Sequence, residues 1–252
     1  MRRTLLGFTL IELLVVVAII ALLISILVPA LKAARREGKR IKCAANVREL
    51  LVALRVYANE EKDFMPITNW GWPRNNNNNQ NLPKGWLYDP DQLEYRGSLP
   101  QWKQKDVETG ALFKTARQPA LFRCPEHSLI GRYEHDTRQL TSYLMNGSMG
   151  AFSRHRSFDT PRYRIDAVVF WEPPDPEGMD ERSSGFFDED WQDGSSTPDQ
   201  GFSFRHGRSN GATMGIIDGH VEWWSLSKYT EKWRENRYPN ALWCNPQSRN
   251  GH

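Results

Sequence analysis

The chain has 252 residues, with 33 Lys and Arg against 30 Asp and Glu, a net charge of +3 at neutral pH. So even a balance supplies no strongly basic face and excludes a nucleic-acid partner from the expected set. The three cysteines, Cys43, Cys124 and Cys244, include no Cys-x-x-Cys pair, and their spacing suits no zinc site.

The first element in chain order is apolar. Phe8 to Val28 is 21 residues with Glu12 as its only charge. As a helix it spans roughly 31 Å, one bilayer core. A carboxylate there costs about 2.5–3.5 kcal/mol on insertion scales, so Glu12 needs a reason to be present. A secretory signal peptide fits poorly. Arg2 and Arg3 suit one, but the apolar run is too long and no small-residue cleavage site precedes Pro29. A plain anchor without processing is the other alternative.

The order Gly7-Phe8-Thr9-Leu10-Ile11-Glu12 before an apolar helix resembles the prepilin signature of type IV pilins and type II secretion pseudopilins. The resemblance implies a leader over residues 1–7, cleavage after Gly7 by a prepilin peptidase and methylation of the new amino terminus at Phe8. It also implies that Glu12 neutralises the N-terminal amine of a neighbouring subunit as a filament grows. Pro29 falls where the family often carries a helix-loosening proline. The implied place is the bacterial inner membrane, crossed once with the N-terminus cytoplasmic and the head periplasmic or extracellular, followed by the filament. Lys32, Arg35, Arg36, Lys39, Arg40 and Lys42 would put their own side in the cytoplasm by the positive-inside rule. The family order is preferred, because a leader peptidase must reach Gly7 from the cytoplasmic face.

Residues 29–59 continue as an amphipathic stalk helix, with Ile41, Ala44, Val47, Leu51, Leu54 and Ala58 at spacings of three and four. The stretch from Cys43 to Leu50, with Tyr57-Ala58-Asn59 and Pro66, resembles the opening of pseudopilin-like proteins with large heads. Residues 60–252 form that head. Its first part, 60–120, is a loop-rich insertion containing the run Asn75 to Asn79. Sheet follows over about 165–227: Ala167 to Trp171, Phe202-Ser203-Phe204, then Ala212 to Ile217 and His220 to Leu226 around a two-residue Asp218-Gly219 hairpin turn. The expected class is α+β, a membrane-spanning stalk helix packed on a C-terminal antiparallel sheet.

Arg205-His206-Gly207, Asn210 and Ile217-Asp218-Gly219-His220 resemble the prepilin-associated domain named for a histidine, nine residues and Asp-Gly, here with eleven residues between His206 and Asp218. His206, Asp218 and His220 carry donors that suit a metal. The preferred reading is that Asp218-Gly219 makes the hairpin and His206 bonds to backbone. Gly207-x-Ser209-x-Gly211 matches a nucleophile elbow only loosely, with neither the following helix nor a downstream acid and histidine.

Residues 172–193 hold nine acids and one base. Within them Asp188, Asp190 and Asp193 are reminiscent of a calcium loop, although Asp193 occupies the glycine position of an EF-hand. A solvated acidic loop is preferred, with calcium as the alternative. An exported domain meets an oxidising compartment, so one disulfide with one cysteine left over is plausible. Three pairings are open. Cys43–Cys124 is favoured because it ties stalk to head, with unpaired buried thiols close behind.

These readings give a structural filament subunit with no catalytic residues and no required cofactor. Its partners are other pilin-type subunits, the prepilin peptidase and membrane lipid. The alternative is a filament-displayed module that binds glycans or secreted substrates through a tryptophan-rich head. Exposure of Trp70, Trp72, Trp86 and Trp102 distinguishes the two. Trp223 and Trp224, adjacent on a strand, face opposite sides, so one of them needs a cover.

Overall fold

The computed structural model describes residues 9–69, 84–96, 99–100, 103–127, 140–150, 159–174, 194–203, 206 and 211–251. Helix α1 runs Leu10–Glu60, ending one residue beyond the expected limit and passing through Pro29. By compactness the chain divides into two units, the first ending at Gly38 and the second being Lys39–His252.

In the first unit every described residue is exposed. This part of α1 is long and apolar enough to cross a membrane by length and composition. Proline lacks the N–H that would bond the carbonyl of Ser25, so the ladder has a gap one turn before Pro29. The Ser25 hydroxyl donates to the carbonyl of Leu22 at 2.7 Å.

The second unit opens with the rest of α1, whose buried stripe is Cys43, Asn46, Val47, Leu50, Leu51, Ala53, Leu54 and Ala58. Ile41, expected on that stripe, is 58 % exposed, and the polar Asn46 takes part in it. Asn46 is tolerated because its Nδ2 donates to the Arg123 carbonyl at 2.8 Å, which satisfies a buried acceptor. The helix closes with the Asp63 N–H on the Ala58 carbonyl at 2.7 Å. Lys62 and Asp63 both adopt positive φ there.

The insertion carries a short hairpin, β1 Tyr95–Arg96 and β2 Leu99–Pro100, and a single-turn helix α2, Phe113–Ala116. The main sheet comprises β3 Leu144–Asn146, β4 Val168–Trp171, β5 Ser195–Ser196, β6 Gly211–Ile216 and β7 Val221–Ser225, followed by α3 Leu226–Trp233. Strand order is β5-β3-β4-β6-β7. The β3–β5 pair is parallel and the others antiparallel. The sheet is therefore mixed, and beyond the expected 165–227 span it takes in β3, which falls within residues 142–146, a stretch that reads as a short strand. The expected strand at 202–204 is absent at Phe202 and Ser203, which lie outside any strand.

The β6–β7 turn also differs from expectation. Gly215 pairs with Val221, and the Ile216 N–H bonds the His220 carbonyl at 3.0 Å. Three residues, Ile217, Asp218 and Gly219, are left to make the bend. Gly219 has φ +101°, which a residue with Cβ adopts only under strain. Three-residue loops ending in such a glycine are a standard alternative to the two-residue turn.

Both sheet faces are covered. On one, the α1 stripe packs with Trp86, Phe122, Tyr143, Val169 and Phe170. On the other, Val168, Trp171, Ala212, Met214, Ile216 and Trp224 pack with Phe202, Tyr229 of α3 and Leu242. A register irregularity between Val168 and Phe170 lets Val169 and Phe170 fall in the same cluster. The residues of β6 outside the second cluster are Gly211, Thr213 and Gly215. A Cβ at Gly215 would stand 2.7 Å from Cγ1 of Val47, so the small residue lets the helix lie close.

Candidate functional site

Two places in the chain concentrate chemistry. The first is the start of α1. The Thr9 N–H and hydroxyl each donate to Oε2 of Glu12 at 2.8 Å, and the Glu12 N–H returns to Thr9 Oγ1 at 3.3 Å. This is a capping box, with two otherwise unmet donors satisfied reciprocally. The Thr-x-x-Glu spacing that announces it was available in the sequence. Gly7 and Phe8 lie outside the described residues.

The second place is buried in the head. Cys43 on α1, Cys124 beyond the Pro119–Phe122 turn, Glu172 just past β4, and His206 each present a ligand-type atom. All four atoms lie within 4.8 Å of one another. The residues are 0 %, 3 %, 0 % and 7 % exposed. His206 Nε2 stands 2.9 Å from Glu172 Oε1 and 3.5 Å from Cys124 Sγ. The other carboxylate oxygen, Oε2, accepts from the Thr213 N–H at 3.1 Å. Cys124 Sγ also accepts from the Glu126 N–H at 3.4 Å.

Charge in this cluster is redistributed. The Cys124 thiol is pulled down to about 7, first by the hydrogen bond from Cys43 and then by His206. Cys43 is pushed up by that same bond, by burial and by the Glu172 charge. For His206 burial is the largest influence and acts downward. Hydrogen bonds to Cys124 and Glu172 and their charges overcome it, and the imidazole is raised to about 10. Glu172 and Cys124, both within hydrogen-bond reach of Nε2, are what oppose the desolvation of this buried ring.

Trp223 forms the roof. Its ring meets His206 edge-on at 5.9 Å between centroids, and the Arg40 guanidinium sits over it at 5.2 Å. The indole of Trp223 also lies 2.7 Å from where a Cβ on Gly211 would be. Trp224, its neighbour, is buried in the opposite cluster. Arg40 and His206 are thus the cover that the outward tryptophan required.

The structure distributes the sequence-derived candidates unevenly. His206, Asp218 and His220 do not converge. His206 joins the buried cluster, whereas His220 is exposed at the hairpin, with Nδ1 at 2.5 Å from Asp218 and Nε2 at 2.9 Å from Glu222. Its imidazole is raised, by the hydrogen bond to Glu222 first and by Asp218 as well. Cys43 and Cys124 are neighbours but unbridged, since all three cysteines are free and buried. Asp188, Asp190 and Asp193 lie outside the described residues, as do Trp70, Trp72 and Trp102. Trp86 is fully buried, its Nε1 donating to the Gly194 carbonyl at 2.7 Å. Among the described residues no tryptophan is exposed.

Glu172 escaped the sequence reading because it opens an acidic run. The available signal was its position directly after the apolar strand Ala167 to Trp171, where a carboxylate is buried with the strand end. Comparison with protein-family models, with curated proteins and with solved structures finds no match. What stands is an α+β protein: a long helix with a membrane-capable N-terminal part, whose residues from Cys43 onward pack on a mixed five-stranded sheet.

Proposed function

We propose that the chain is a pilin-like structural subunit, a pseudopilin or pilin component, of a type II secretion system or type IV pilus filament. The observation that carries this reading is the unbroken exposure of α1 through Lys39, with Leu10, Ile11, Leu13, Leu14, Ile26 and Leu27 all more than half exposed. An apolar surface of that extent is not stable in water. Lipid covers it in one stage of a pilin's life and neighbouring helices in the next, and the prepilin-like residues Gly7 to Glu12 supply the signal for passing between them. In this reading the prepilin peptidase trims the chain after Gly7, Phe8 is methylated, and Glu12 pairs with a neighbour's terminal amine inside the helix bundle. Pairing removes the cost of an isolated carboxylate in lipid. The head then faces the periplasm or the exterior. The burial of Trp86 gives that residue a packing role, and Trp70, Trp72 and Trp102, on which the glycan-binding alternative also rests, lie outside the described residues.

Mass spectrometry of the N-terminal peptide from native membranes tests the reading. A mature chain beginning at methylated Phe8 is expected. An intact Met1 terminus in cells with active prepilin peptidase would overturn it.

A further inference from the structure

We propose that Cys43, Cys124, Glu172 and His206 form a closed structural site for one divalent transition metal, zinc foremost, which fastens the head-bound part of α1 to the sheet. The site is independent of the filament reading.

The four donors come from four separate segments, which is why no local spacing reveals them. Two sulfurs, an imidazole nitrogen and a carboxylate oxygen match zinc, which accepts mixed S, N and O ligands, and argue against calcium or magnesium, which want oxygen alone. Four atoms bound at about 2.0–2.3 Å on a tetrahedron stand roughly 3.3–3.8 Å apart. The group already lies within 4.8 Å in every pairing, and two of its separations are 2.9 and 3.5 Å. Reaching that geometry asks the widest pair to close by at most about 1 Å and the Glu172–His206 pair to open by a few tenths of an ångström. All four positions are filled by protein, which defines a structural rather than a catalytic zinc site.

The surroundings are built in the same sense. The Thr213 N–H holds Glu172 by Oε2 and leaves Oε1 facing the histidine. The Glu126 N–H bonds Cys124 Sγ. Outer contacts of this kind orient metal ligands and tune their donor strength. Trp223 packs edge-on against His206, with the Arg40 guanidinium over its ring.

The rival is a Cys43–Cys124 disulfide. It would use two of the four groups and give Glu172 and His206 no purpose at the sulfurs. Glu172 and His206 satisfy each other at 2.9 Å in either case; a metal also accounts for Nε2 standing 3.5 Å from Cys124 Sγ.

The test uses the full-length chain without a polyhistidine tag, purified from its own membranes in detergent, loaded with zinc sulfate and exhaustively dialysed. Elemental analysis should find one zinc per chain. X-ray absorption should find two sulfurs at about 2.3 Å and two lighter atoms at about 2.0–2.1 Å. Cys124→Ser and His206→Ala should lower zinc affinity by more than the roughly 10–100-fold seen for loss of an outer partner, while Cys244→Ser should retain the metal. Because a ligand variant can fail to fold, non-reducing peptide mapping is run on the unaltered chain. A Cys43–Cys124 disulfide there, or zinc with no sulfur neighbour, or no zinc retained after loading, would each overturn the site.

Discussion

At the scale of single residues, Glu12 has two separable duties. Its Oε2 takes both donors of Thr9, a local service to the helix start, and in the proposed filament its charge meets an amine of another copy. Glutamine serves a capping box as glutamate does but carries no charge. Glu12→Gln should therefore keep the helix start and lose filament incorporation as fully as Glu12→Ala, with membrane insertion intact in both. Immunoblotting of sheared filaments against membrane fractions measures this. Incorporation of the Gln variant at the wild-type level would assign Glu12 to capping alone. Asn146 is a second residue with an outsized load. Its Nδ2 donates to the carbonyls of Val168 and Leu242 at 2.9 and 2.8 Å, and its Oδ1 accepts from the Ser148 N–H at 3.0 Å. Asn146→Ala strands buried carbonyls, each at about 1–3 kcal/mol. Denaturant unfolding of the head should show a loss of at least that size.

At the scale of elements, the fit between β6 and α1 decides how the helix sits. Gly215→Ala places a methyl 2.7 Å from Val47 Cγ1 and 3.3 Å from Leu51. A β-branched side chain in a helix has one favoured rotamer and cannot swing away, so the substitution should cost about 1–3 kcal/mol. Val47→Ala in the same chain should recover part of that loss. Unfolding midpoints of the two single variants and the double variant give the coupling, and additive losses would show that Gly215 does not set the approach. The elements most legible in sequence were those with a strong period. The end of α1, β4, β6 and β7 fell within a residue or two of expectation, because burial there imposes an apolar pattern. Legibility failed where polar residues do buried work: Asn46 on the helix stripe, Ser195 and Ser196 as a parallel edge, Glu172 in the cluster. For Asn46 and Glu172 a partner distant in sequence makes the buried polar group tolerable, and Ser195 and Ser196 are set by backbone pairing with the distant β3; no local window contains these partners. The Asp-Gly turn was located correctly and given one residue too few, since the dipeptide specifies a bend but not which flanking pair closes it.

At the scale of the whole molecule, the buried cluster contrasts with an exposed group of charges at the hairpin. The exposed set at this turn is Asp218, His220, Glu222 and Lys228, joined across the β6–β7 turn and the start of α3, with the Trp224 indole N–H also on Glu222. Glu222 is held down at about 2, by Lys228 first, then His220 and Trp224. Its unfolded value is about 4.3. A depressed carboxylate contributes stability above the unfolded value and loses it as pH falls from about 4.3 to about 2. His220 is raised, so its contribution is complete below about 6.5 and disappears as pH climbs through the higher folded value. The group therefore supports the head best between roughly pH 4.3 and 6.5. These are surface pairs worth about 0–1 kcal/mol each, which corresponds to a few degrees at most in a domain of this size. Thermal scans of the detergent-solubilised chain by near-ultraviolet circular dichroism, taken from acid to mildly alkaline pH, should show melting temperature falling on both sides of that window. Glu222→Gln removes the charge that faces His220 and Lys228, so it should flatten both limbs. An unaltered pH profile in that variant would mean that the turn and α3 hold together through Ser225, whose hydroxyl caps α3 by accepting from the Lys228 N–H, and through Tyr229 packing alone.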